Sequence, residues 1–121
     1  MESLNVLHIA ECAGGVERYL QMLMPLLKNN GIFQSFVCSS SYDPNKYLEW
    51  NEHVKQLRNF RSFSPFCIIA NILNIRDAIK QIQPDIVYCH SSFAGGLGRL
   101  AAIGLPCKVV YNPHGWAFNM K

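Results

Sequence analysis

With 121 residues, half of them hydrophobic, the chain is long enough for one core and too short for two domains. Its net charge of +3 comes from 11 basic and 8 acidic residues scattered along the sequence. That field is too weak to indicate nucleic-acid binding, although mild attraction to anionic phosphates or lipids stays open.

No apolar run approaches the roughly 20 residues of a membrane span, and the start MESLNVLHIA lacks the basic region and apolar core of a secretion signal. The five cysteines form no C-x-x-C framework, and Cys38, Cys89 and Cys107 fall in or beside strand-like runs. Reduced, buried thiols in a cytoplasmic protein are expected.

Residues 4–10 form a short apolar run suited to a buried strand, broken at ECAGG. From Val16 onward Tyr19, Leu20, Leu23, Leu26 and Leu27 recur at helical spacing, and Asn29, Asn30 and Gly31 supply the chemistry of a helix end. Pro25 inside this helix predicts a kink or an early break. Residues 32–38 read as a second strand, the polar stretch SSSYDPNKYLEWNE as a loop, and residues 54–57 as a short third strand.

Ser64-Pro65 suits a helix start, with Ser as N-cap and Pro at the first helical position. That helix carries Ile68, Ile69, Ile72, Ile75, Ile79 and Ile82 on one face and ends before Pro84. Residues 85–89 make a fourth strand, residues 93–103 a helix of small residues stopped by Gly104 and Pro106, and residues 107–111 a fifth strand. The alternation implies an α/β fold: a doubly wound parallel sheet of about five strands, order 3-2-1-4-5, joined by right-handed crossovers.

In such a sheet, ligands lie beyond the carboxyl ends of the strands. Gly14 and Gly15 fall between the first strand and the first helix, where backbone N–H groups and the helix dipole suit phosphate or pyrophosphate; a tight turn that needs glycine is the alternative. The sequence AGGVER is not a dinucleotide fingerprint and no P-loop occurs, which argues against a dehydrogenase and against ATP or GTP hydrolysis. His90, Ser91 and Ser92 follow the fourth strand, and Asn112, His114 and Trp116 follow the fifth, so both loops converge with the glycine turn on one cleft. His114 is the better catalytic candidate; a structural hydrogen-bonding role is the alternative for His90.

Gly95, Gly96 and Gly98 cost about 1 kcal/mol each in a helix relative to alanine, so close helix packing or close ligand approach is expected there. His8, His53, His90 and His114 show no ligand spacing, and Cys89 and His90 would point to opposite sides of a strand, so no metal is expected. In RNFRSFSPF, Arg58 and Arg61 alternate with Phe60, Phe63 and Phe66. Core phenylalanines with water-facing arginines are favoured there over a membrane-surface patch.

The pieces ECAGGVERYL, PDIVYCHSSFAGGLGRLAA and KVVYNPHGWAF, in this order across most of the chain, together resemble the N-terminal domain of family 4 glycosyltransferases. These are two-domain GT-B enzymes, of which the capsular and exopolysaccharide transferases of bacteria look closest. The resemblance implies a Rossmann-like half of a GT-B fold and retaining transfer from a nucleotide sugar to a lipid-linked or polysaccharide acceptor at the cytoplasmic face of the membrane. No cofactor or metal is implied.

The resemblance also implies that Gly14 and Gly15 approach the donor diphosphate, that His114 supports catalysis near the transferred sugar, and that His90, Ser91 and Asn112 line the acceptor side. The donor-binding C-terminal domain is expected to lie outside residues 1–121. The chain alone is then a poor catalyst that needs that domain or a partner subunit. A non-enzymatic α/β binding or interaction module is the other reading.

Overall fold

The central strand is the most buried one: β1 (Asn5–Ala10) is buried from Val6 to Ala10, as a strand covered by helices on both faces must be. A computed structural model describes residues 4–10, 14–39, 44–57, 64–90 and 92–111. After β1 come α1 (Gly14–Asn29), β2 (Phe33–Ser39), α2 (Pro44–Tyr47), β3 (His53–Leu57), α3 (Pro65–Ile82), β4 (Ile86–Cys89), α4 (Ser92–Ala101) and β5 (Lys108–Tyr111). The strands form a parallel sheet of order β3-β2-β1-β4-β5, as the alternation of elements predicts.

The two faces of the sheet build two cores. Leu7 and Ile9 join Val37, Val87 and Cys89 against Ile75, Ala78 and Ile79 of α3 and Leu97 and Ala101 of α4. On the other face, Ala10, Phe36 and Cys38 meet Leu20 and Met24 of α1 and Tyr47 of α2. Each fully buried Leu, Ile, Phe or Met stabilises the fold by about 1.5–3 kcal/mol.

That burial explains where local expectations fail. Helix α1 does not break at Pro25 but runs on to Asn29, because Leu20 and Met24 anchor successive turns to the sheet. It closes with the N–H of Ile32 on the Leu27 carbonyl (3.1 Å) and that of Gly31 on Lys28 (3.0 Å). This double bond pattern needs a left-handed residue, and Gly31 supplies it at φ 79°. The stretch read as a loop contains the short helix α2, pinned by Tyr47, whose ring packs 5.0 Å from that of Phe36.

Helix α3 starts at Pro65 with Ser64 extended before it, but the Ser64 hydroxyl makes no capping bond. Of the six isoleucines, Ile75 and Ile79 are buried, and Ile68, Ile72 and Ile82 pack partly against the core. Ile69 is one position off that stripe and is 55% exposed. Phe66, at the exposed first turn, does not enter the core either and is 84% exposed; Arg58, Phe60, Arg61 and Phe63 lie outside the described residues.

Helix α4 ends at Ala101, two residues earlier than its pattern suggests, and the chain turns through Gly104 at φ 77°. Arg76 of α3 caps that end, donating from Nη1 to the carbonyls of Ala101 (3.1 Å) and Ile103 (2.6 Å). Gly98 is where α4 presses on the sheet: a Cβ there would stand 2.5 Å from Cys89 Sγ and 3.5 Å from Ile9 Cδ1. Gly96, by contrast, faces open space, so close packing accounts for one of these two glycines and not the other.

Candidate functional site

Parallel register places Tyr88 and Phe36 on either side of His8, and Gln34 on β2 beside Val6. Residues two apart share a face of a strand, so Gln34, His8, Tyr88 and His90 collect on the side covered by α1. Cys89 points to the other side, into the α4 core, as expected for its neighbour relation to His90.

This polar strip is inside the protein. His8 and His90 have no exposed surface, and Gln34 is 1% exposed. Gln34 Nε2 donates to the carbonyl oxygens of Met24 (2.8 Å) and Trp50 (3.3 Å), and its Oε1 lies 2.8 Å from His8 Nε2. His8 Nδ1 in turn lies 2.9 Å from His90 Nε2. Burial pushes the pKa of His8 down to about 4, with the Gln34 bond partly opposing it, so His8 is neutral at physiological pH.

His90 continues the sheet edge, its N–H donating to the Ile9 carbonyl at 3.0 Å. The Tyr88 ring stacks on it with centroids 4.1 Å apart. The Tyr19 ring of α1 lies 6.0 Å away, with its hydroxyl 3.3 Å from that of Tyr88. Burial, then the bond and proximity to Tyr88, raise the Tyr19 phenol to about 12 and keep it un-ionised.

Tyr19 also locates the glycine turn. Gly14 and Gly15 are the first two residues of α1, not a loop before it, so their N–H groups belong to the unsatisfied first turn. The contact of Tyr19 with His90 places the amino-terminal half of this helix over the end of β4. The structure thus brings Gly14, Gly15 and His90 to one sheet edge. Ser91, Asn112, His114 and Trp116 lie outside the described residues.

Nothing in the motifs singles out Gln34 for this site, and ligand spacing raises His8 only as a possible metal ligand. The available signal was a polar residue inside each of two apolar strands. Cys38 and Cys89 are buried with thiols pushed up to about 12, which suits packing and not nucleophilic attack. Cys107 is only half-buried. Among the described residues no group of three or more His, Cys, Asp or Glu could hold a metal ion.

Cavities formed by described residues lie elsewhere. One of about 350 Å³ is lined by Lys28, Gly31, Phe33 and Trp50, and one of about 450 Å³ by Gln83, Pro84, Asp85 and Leu105. Both open where strands begin, opposite the edge at which an α/β sheet binds ligands.

Residues 13–120 match the family model described as Glycosyltransferase Family 4. Over 108 residues the chain is 32% identical to the UDP-Gal:alpha-D-GlcNAc-diphosphoundecaprenol alpha-1,3-galactosyltransferase of Escherichia coli, covering 87% of this chain and 28% of that protein. It is also 32% identical over 124 residues to an uncharacterized 41.2 kDa protein in the cps region of Klebsiella pneumoniae, covering 97% of this chain and 32% of that one. The chain therefore spans about a third of the length of these curated relatives. Its fold superposes on a glycosyltransferase from Rickettsia africae with TM-score 0.75 at 22% identity, over 92% of this chain and 30% of that one. With the family model spanning residues 13–120 of a sheet of that fold, the chain belongs to glycosyltransferase family 4.

Proposed function

We propose that this chain is the acceptor-side lobe of a GT-B enzyme that moves a sugar, with retention, from a nucleotide sugar to a lipid-linked or polysaccharide acceptor. The observation that carries this reading is the approach of Tyr19, in the amino-terminal half of α1, to His90 at the end of β4, in a chain that matches family 4. The name of the E. coli relative supports a uridine diphosphate sugar as donor and a diphosphoundecaprenol-linked sugar as acceptor.

In this mechanism the departing diphosphate gathers negative charge near Gly14 and Gly15. The free N–H groups there and the helix dipole, equivalent to roughly half a positive charge, stabilise it without reorganisation. His114 supports catalysis near the oxocarbenium-like sugar, while His90, Ser91 and Asn112 belong to the acceptor side. The nucleotide is held by a second lobe or a partner subunit, and the reaction uses no metal or other cofactor.

Catalysis takes place at the inner face of the cell membrane through peripheral contact. No helix among the described residues is long and apolar enough to cross a membrane. The test is transfer of labelled galactose from UDP-galactose to a diphosphoundecaprenol-linked N-acetylglucosamine acceptor by the full-length gene product. Replacing His114→Ala is expected to lower the rate at least about a hundredfold; an unchanged rate removes His114 from catalysis.

A further inference from the structure

Helices α1 and α2 cover one face of the sheet, and α3 and α4 cover the other. The charge scattered along the sequence divides between the segments that build these layers. Residues 1–52, which contain α1 and α2, carry three basic and six acidic residues, a net of −3. Residues 53–121, which contain α3 and α4, carry eight basic and two acidic residues, a net of +6.

Both layers expose large apolar side chains: Met22 and Leu26 on α1, and Phe66, Ile69 and Leu73 on α3. The α3 set is ordered. At about 100° per residue, Phe66, Ile69, Leu73 and the exposed Lys80 fall within about 60° of one another, opposite Ile75, Ile79 and Ile82 on the core side. Arg76 and Asp77 border this stripe on its two sides. The bonds of Arg76 to the Ala101 and Ile103 carbonyls bring up the end of α4, where Leu100 and Ile103 are also exposed. Apolar residues scattered singly need no explanation, but a stripe of them that ends in lysine has the make-up of a helix lying at a lipid interface.

The stripe also starts in the right place. The strands are parallel, so α3 runs back against them, and its first turn, with Phe66, lies at their carboxyl edge. His90 follows β4 at that same edge.

We propose that the outer face of α3, extended by the end of α4, is the surface by which this chain rests on an anionic phospholipid bilayer. Phe66, Ile69 and Leu73 enter the boundary between headgroups and acyl chains, and Lys80, with Arg76 beside it, brings positive charge to the lipid phosphates. Charge decides between the two layers, because an anionic surface attracts the α3–α4 segment and repels the α1–α2 segment. The inference rests on reading the acceptor as lipid-linked, and it seats the carboxyl edge of the sheet beside the lipid.

The test is co-sedimentation of the 121-residue chain with vesicles that hold neither a sugar nucleotide nor a lipid-linked sugar. Vesicles of phosphatidylcholine with about a third phosphatidylglycerol should bind it, and phosphatidylcholine alone should bind far less. Equal binding to the two compositions, or binding to neither, overturns the inference. Phe66→Ser with Leu73→Ser should lower the partition at least about tenfold, and Lys80→Glu at least about fivefold. Met22→Ser with Leu26→Ser, on the other layer, should leave it unchanged. All these side chains are exposed, so the variants should keep the wild-type circular dichroism. Loss of binding through Met22 and Leu26 but not through Phe66 and Leu73 places the contact on α1 and contradicts the proposal. Dimerisation that the Phe66 and Leu73 variant abolishes, in a chain that ignores vesicles, also contradicts it, since a second copy then covers the face. Sugar transfer by a chain indifferent to vesicles overturns this inference alone; vesicle binding as expected without sugar transfer counts against the proposed function alone.

Discussion

His8 Nδ1 lies 2.9 Å from His90 Nε2, joining the middle of the central strand to the end of its neighbour beneath α1. The bond crosses the part of the sheet where a polar group is most expensive to bury. Burial of its His8 end gives the fold a pH response.

Because burial lowers the pKa of His8 from the usual 6.5 to about 4, the unfolded chain takes up a proton between these values that the native chain does not. Stability contributed by neutral His8 is complete above pH 6.5 and is lost as pH falls toward about 4. The slope is at most about 1.4 kcal/mol per pH unit. NMR titration checks this directly: the His8 ring signals should not titrate between pH 8 and 5, and a midpoint near 6.5 contradicts the burial described.

Gly98→Ala should destabilise the chain by about 1–3 kcal/mol, since the added methyl meets Cys89 Sγ at 2.5 Å and neither backbone can yield cheaply. Adding Cys89→Ala removes the obstructing sulfur, so the double variant should show favourable coupling in urea unfolding. Gly96→Ala, facing open space, should be neutral or stabilising by up to about 1 kcal/mol.

Thiol labelling at pH 8 should separate the described cysteines. Cys67 is half-buried and should react first, while Cys38 and Cys89, buried and raised to about 12, should react only on unfolding. Cys107 is half-buried with its thiol raised by burial and should fall between them. Peptide mass mapping after limited alkylation reads the order.

Much of the fold is legible in sequence because its signals are local. Apolar runs broken by Gly, Pro and Asn mark the strands, and their alternation with helices dictates parallel order. The continuation of α1 past Pro25 and the presence of α2 have one reason: packing of Leu20, Met24 and Tyr47 outweighs the preference of the surrounding backbone. Ser64 satisfies the residue rule for a cap and still makes no capping bond. His90 could be placed at the edge from its position after a strand. Its link to His8 and Gln34 could not, because those residues meet only through the register of β1, β2 and β4, which no local pattern encodes.

Sugar transfer by a chimera tests the proposed function most directly. In it, this chain replaces the matching part of the E. coli galactosyltransferase, whose remaining length the chain does not cover. The chimera should transfer galactose from UDP-galactose to the diphosphoundecaprenol-linked acceptor, and His114→Ala within it should abolish most of that activity. A folded chimera that transfers no sugar, or one indifferent to His114→Ala, would contradict the assignment of this edge as the acceptor side of a glycosyltransferase.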